Sequence, residues 1–315
     1  FDGPEDGHVV LLSNSLMSNY AMWDCTLPAL TDRYRTLRYD TRGHGGSSTT
    51  SGPYHMAQLA DDAIGLLDAL HIDKVHFIGL SMGGMIGQQL GARFPERINS
   101  LSLCDTASEM PPRNLWEERF ATAKQEGIAG LMPGTLKRWF LDDFINSSPA
   151  EIEKVRQMIL GTGVEGYIAC GSAVRDMTHS AMLLKIKAPT LVLTGRQDPA
   201  CTVDQATVLH RLIANSEMVI IENAAHLSNI EQPVAFNAAI RGFIDSVEFK
   251  NEFFRLGKQE RDKHTARKKQ EKMKYEKRQR EQLLKRTVKN PISMYGSTNN
   301  NDTTSPFVLM DLPDE

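Results

Sequence analysis

Ser81 lies in Gly79-Leu80-Ser81-Met82-Gly83, a GxSxG pattern between the short apolar run that begins at Val75 and a helix-like segment, Met85 to Arg93. That context is what a nucleophile elbow needs. A serine on a tight strand-to-helix turn sits in strained backbone geometry, and glycines two before and two after it let neighbouring chain pass without Cβ clashes. The hydroxyl is then held at the carboxyl end of a sheet, and the following helix aims its first N–H groups at charge developing on a bound carbonyl oxygen. A glycine-rich turn that merely packs a helix on a strand is the competing reading.

A neutral serine hydroxyl is a poor nucleophile, so it needs a base, and the base needs an orienting carboxylate. His226 is the best base: it follows a strand, stands among small residues in Glu222-Asn223-Ala224-Ala225-His226, and comes after both serine and acid. Asp198, in Gly195-Arg196-Gln197-Asp198-Pro199 after the strand from Pro189 to Thr194, is the best acid, because the order Ser, Asp, His suits a strand–helix alternation. Asp105, at the end of the strand Ile98 to Cys104, is its rival. Among other histidines, His44 falls in a glycine-rich loop ahead of the serine, His76 reads as a packed strand residue, and His179 belongs to an insertion. His71 and His210 look like helix-end or surface residues. Two backbone N–H groups complete an oxyanion hole, one from Met82 after the nucleophile and one from the loop after the first strand, best assigned to Leu16.

The elements that must position these groups alternate. Strands are predicted at Val9 to Leu12, Tyr34 to Asp40, the elbow run, Ile98 to Cys104, Pro189 to Thr194 and Met218 to Ile221. Helical spacing marks His55 to Leu70, Val203 to Ala214 and a final helix from Pro233. Such alternation implies an α/β fold with a mostly parallel sheet covered on both faces, whose ligands bind at the strands' carboxyl ends. Ser81, Asp198 and His226 all fall on that edge. From Glu109 to about Leu184 only short helical segments are predicted, broken at Pro111, Pro112, Pro133, Gly134, Pro149 and Gly161, which suggests a helical lid. The expected division is 1–108 and 185–247 as core, 109–184 as lid, 248–290 as a basic polar helix and 291–315 as a disordered tail.

Composition sets the class. The 315 residues are 41% hydrophobic and 24% charged, ordinary for a soluble globular protein. No apolar run is long enough to span a membrane, and no secretory signal pattern stands at the start, which begins almost inside a strand and reads as trimmed. Cys25, Cys104, Cys170 and Cys201 are scattered without a CxxC pair, as reduced thiols in a cytoplasmic protein without structural zinc would be. The net charge of −3 hides a division: residues 251–290 carry 15 Lys+Arg against 6 Asp+Glu, or +9, leaving −12 elsewhere. The segment from about Glu248 to Thr287 has one early glycine, Gly257, and no proline, and predicts a long helix with intrahelical Glu–Lys pairs. Nucleic acid or an anionic membrane surface would suit its charge. A solvated helix is the stronger reading, since no aromatic residues interleave as stacking platforms.

At these motifs the chain resembles the α/β-hydrolase fold, and within it the 3-oxoadipate enol-lactonases of the β-ketoadipate pathway of aromatic catabolism. The likeness is carried by Leu12-Ser13-Asn14-Ser15-Leu16, Arg38-Tyr39-Asp40-Thr41-Arg42-Gly43-His44-Gly45, Gly79 to Gly87, Arg138-Trp139-Phe140, Glu165-Gly166-Tyr167-Ile168-Ala169-Cys170, and Ala224-Ala225-His226-Leu227-Ser228-Asn229. The resemblance implies cofactor-free, metal-free hydrolysis of a small enol-lactone bearing a carboxylate. That anion calls for a cation in the pocket: Arg138 beside Trp139 first, then Arg42 and Arg175. The chain departs from the family at Met17, where glycine is usual, in lacking the fold's opening strands, which would bare a sheet edge, and in its basic tail. A broader carboxylesterase or lactonase and a cofactor-free perhydrolase share the same triad. Dehalogenation is disfavoured, needing a carboxylate where Ser81 stands. An inactive hydrolase-like binding module acting through the tail is the reading from another class.

Overall fold

The computed structural model describes residues 1–110 and 112–289. The expected disorder of 291–315 lies outside the described residues. Contacts divide the chain after Glu252.

In the first unit, β1 (Val9–Ser13), β2 (Arg35–Arg38), β3 (Val75–Leu80), β4 (Ile98–Cys104), β5 (Thr190–Gly195) and β6 (Ser216–Ile221) form one parallel sheet in the order β2-β1-β3-β4-β5-β6. The central strands β3 and β5 are buried along their whole length, as sheets covered on both faces require. Helices α1 (Met56–Ala69) and α2 (Met82–Arg93) precede and follow β3. Between β4 and β5 come α3 (Arg113–Trp139), α4 (Asp142–Ser147), α5 (Pro149–Leu160), α6 (Val164–Asp176) and α7 (Ser180–Leu183). The chain then runs through α8 (Val203–Leu212), the short α9 (Ser228–Glu231) and α10 (Pro233–Lys289).

Two short 3-10 turns, Tyr20–Trp23 and Leu27–Ala29, the second carrying Pro28 in its first turn, follow β1. Two expectations need correction. Pro133 and Gly134 do not break the insertion; they lie within α3, where Pro133 is exposed and the unpaired carbonyl it leaves can turn to water. The break falls at Gly127, whose φ of 70° and ψ of −174° only glycine adopts without cost. The outer edge of the sheet is not wholly bare, because Asp2 pairs antiparallel with Thr36 of β2 through backbone bonds of 3.0 and 2.8 Å.

From Phe253 the chain forms a second unit, in which α10 continues, its side chains exposed over 258–278. Pairs such as Glu260–Lys263 and Arg267–Glu271 lie along it at the helical spacing the sequence predicts. Among the described residues no helix is long and apolar enough to cross a membrane.

Candidate active site

Ser81 occupies the turn between β3 and α2 with φ 57° and ψ −116°, a conformation costly for any residue with a side chain. The turn is tied down on both sides: Ser81 N–H donates to the Cys104 carbonyl (2.9 Å), and the Ser81 carbonyl accepts from Thr106 Oγ1 (2.8 Å). Its glycines are required by close approach. A Cβ on Gly83 would stand 2.1 Å from the Ser13 carbonyl oxygen, and one on Gly79 would stand 2.2 Å from that of Gly83.

His226 Nε2 lies 2.9 Å from Ser81 Oγ, and His226 Nδ1 lies 2.8 Å from Asp198 Oδ2. All three are buried. The other carboxylate oxygen of Asp198 accepts from the N–H groups of Ala200 (2.7 Å) and Cys201 (3.0 Å), which fixes the acid's orientation. Burial opposes charging of the His226 ring, but the charge and hydrogen bond of the Asp198 carboxylate, with the Asp105 charge behind them, together leave the pKa raised.

The loop after β1 is held by its side chains. Asn14 donates to the Tyr39 carbonyl (2.7 Å) and accepts from Trp23 Nε1 (2.9 Å). Burial holds His44 neutral, its pKa pushed down to about 4, so its Nε2 can accept from Met17 N–H at 3.0 Å. Met17 thereby adopts φ 66°, the left-handed region where glycine is at ease. The Leu16 N–H donates to no protein acceptor among the described residues, and Met82, first in α2, has an N–H without an intrahelical partner.

A cavity opens onto Ser81 and His226, lined by Leu16 and Met17, by Trp116, Arg119, Arg138 and Trp139 of α3, and by Tyr167 of α6. Arg138 donates to Thr135 Oγ1 at 3.0 Å, and Arg119 lies 5.2 Å over the Trp116 ring. Neither guanidinium forms an ion pair with a carboxylate among the described residues. Burial first, and then the Arg119 charge, push the Arg138 pKa down to about 10.

Two arginines considered from sequence are elsewhere. Arg42 forms a bidentate pair with Asp62, bonds Thr50 and lies over Tyr54, facing a different surface hollow. Its carboxylate partner on α1 draws it away. Arg175 pairs with Asp176 and Glu117.

Sequence reasoning missed Arg119, which gave no signal beyond its charge. It also missed Glu231, whose buried carboxylate accepts from Ala225 N–H (2.6 Å) and Leu141 N–H (2.8 Å), tying the His226 loop to the helical segment between β4 and β5. Asp105, the rival acid, accepts from Gly195 N–H (2.7 Å) and Ser228 Oγ (2.5 Å) and does not contact His226 directly. Burial, and then the Asp198 charge, raise its pKa well above the usual carboxyl range.

The family profile of the α/β-hydrolase fold matches residues 8–233. The "3-oxoadipate enol-lactonase 2" of Acinetobacter baylyi is 39% identical over 238 residues, covering 76% of this chain and 89% of its own. The "3-oxoadipate enol-lactonase 1" of the same organism is 33% identical, covering 78% and 92%. The crystal structure of the enol-lactonase from Burkholderia xenovorans LB400 superposes with a TM-score of 0.76 at 37% identity, covering 78% of this chain and 94% of that one. A fold, a family match and relatives of this extent agree: the chain belongs to the α/β-hydrolase family and is an enzyme similar to the 3-oxoadipate enol-lactonases.

Proposed function

We propose that the protein opens a small, carboxylated enol-lactone, of the 3-oxoadipate enol-lactone kind, by a Ser-His-Asp acyl-enzyme mechanism. The observation that carries this reading is one cavity holding Ser81 hydrogen-bonded to His226 together with two arginines that lack carboxylate partners among the described residues. The names of the relatives at 39% and 33% identity support the substrate class.

Ser81 Oγ attacks the lactone carbonyl while His226 takes its proton, and Asp198 holds the ring in the tautomer that presents Nε2. The oxyanion forms between the N–H groups of Leu16 and Met82, where each donor contributes about 3 kcal/mol of barrier lowering. Cleavage of the acyl–oxygen bond expels an enol, which takes the proton from His226 and tautomerises to the ketone. Water, deprotonated by His226, then attacks the acyl-enzyme, and Ser81 recovers its proton. The released 3-oxo acid carries two carboxylates. Arg138 and Arg119 hold the substrate's carboxylate throughout, with Trp139 packing beside it. Neither cofactor nor metal has a part in these steps, and a cytoplasmic place in aromatic catabolism fits them.

The test is loss of enol-lactone ultraviolet absorbance with the full chain, beside Ser81→Ala and a neutral aryl ester. Lactone turnover that falls by at least about 10³-fold in the variant supports the mechanism. Turnover of the ester alone would reassign the enzyme as a broader esterase.

A further inference from the structure

At the opposite edge of the sheet, three side chains from three elements converge. Glu248 of α10 receives His8 Nδ1 on one carboxylate oxygen (2.8 Å) and His76 Nε2 on the other (2.9 Å). His76 is fully buried in β3, and its second nitrogen, Nδ1, meets Ser100 Oγ of β4 at 2.8 Å. His8, just before β1, has a side chain 60% exposed. The donor atoms of all three lie within 4.8 Å of one another.

We propose that His8, His76 and Glu248 form a binding site for a divalent transition-metal ion, zinc being the best fit. Each gap between a ring nitrogen and a carboxylate oxygen must hold a positive centre, either a proton or a metal ion. Two imidazoles and a carboxylate are a donor set that suits zinc, with a water in the fourth position. Bonds of about 2.0–2.2 Å in a tetrahedral site separate ligand atoms by roughly 3.3 Å. The contacts of 2.8 and 2.9 Å need open by only about half an ångström, and on the His8 side its exposed ring can supply this by rotation. The Ser100 hydroxyl on His76 Nδ1 is the outer partner that orients a metal-bound imidazole, leaving Nε2 to bind. The exposure of His8 gives an ion a way in.

The position separates this site from hydrolysis. His76 and Ser81 are five residues apart, roughly 16 Å along the strand. A bound ion would fasten the early part of α10 to β1 and β3 without touching the cavity. The inference stands whether or not the substrate reading does.

The test is equilibrium dialysis of the chelator-stripped full chain against zinc, with Co²⁺ as the spectroscopic probe. One ion per chain at micromolar zinc, tetrahedral Co²⁺ absorption without thiolate bands, and at least about ten-fold weaker binding in both His8→Ala and Glu248→Gln are expected. Both variants should keep wild-type hydrolysis of whichever ester or lactone the protein cleaves. No retained ion, or binding that both substitutions leave intact, overturns the proposal in favour of a network closed by protons. Zinc binding that instead inhibits hydrolysis would place the ion on the other donor cluster, Asp198, Cys201 and His226, and overturns it equally.

Discussion

Replacing Arg138 with methionine keeps most of the stem volume and removes the charge from the cavity beside Ser81. The depression of its pKa from 12.5 to about 10 corresponds to roughly 3 kcal/mol held against the charged form. Arg138 is partly exposed, and solvent screening through the open side of the cavity trims the figure to about 2 kcal/mol. A substrate carboxylate restores what burial and Arg119 withhold, so its binding should draw on about that much energy. Arg138→Met is therefore expected to lower kcat/KM for a carboxylated enol-lactone about 30-fold. A neutral aryl ester makes no use of the charge and should be hydrolysed within about three-fold of wild type. Arg119→Met should show the same pattern more weakly, because its guanidinium also rests on Trp116. The assay is steady-state kcat/KM on the two substrates side by side. Equal losses on both would mean that Arg138 braces the lid, and the carboxylate reading would fail.

Other outcomes follow from the same geometry. A general base must be neutral, and the neighbouring carboxylates, Asp198 first, raise the His226 pKa against the effect of burial, so kcat/KM should fall as pH drops through a value above the ordinary 6.5. Asp198→Asn should move that limb to lower pH and cost on the order of 10³–10⁴-fold in kcat; an unmoved limb would remove Asp198 from the role. Burial and the Asp198 charge raise the Asp105 pKa, so the folded state keeps a proton that the unfolded chain releases near 3.8. Stability should decline as pH rises from that value toward the raised one, and Asp105→Asn should flatten the decline in thermal melts across pH. On α6, a Cβ at Gly166 would stand 2.1 Å from the Gly43 carbonyl oxygen. Gly166→Ala should cost about 1–3 kcal/mol and lower kcat/KM by shifting the lid, whereas Gly163→Ala, with open space around it, should change neither.

The order of strands and helices was readable because most of the strands are short apolar runs that alternate with segments of helical spacing. Ile98 to Cys104 is the strand the sequence predicts, residue for residue. Ser81, Asp198 and His226 were readable for a related reason: parallel strands deliver their carboxyl ends to one edge, so residues far apart in sequence can meet if each follows a strand. What failed needed contacts that spacing does not encode. Arg42 and Arg138 are equally basic as letters, and only the packing of α1 gives the first a carboxylate and leaves the second without one. Glu231 carried no signal in the sequence, because its place depends on two N–H groups brought from Leu141 and Ala225.

Met17 joins these threads. The sequence marks it as a bulky residue where the family has glycine, and the structure gives it the positive φ that glycine would favour. A left-handed conformation costs roughly 1–2 kcal/mol for such a residue. His44, kept neutral by burial, accepts the Met17 N–H and so holds the backbone there, next to the Leu16 N–H that is proposed to face the oxyanion. The Met17 side chain meanwhile lines the cavity and approaches Thr135, the residue that Arg138 bonds. Met17 thus links backbone strain in the loop after β1 to an arginine of the cavity. Its effect should be felt in which carboxylated lactone the proposed site accepts, since the position of the serine is fixed separately by Cys104 and Thr106.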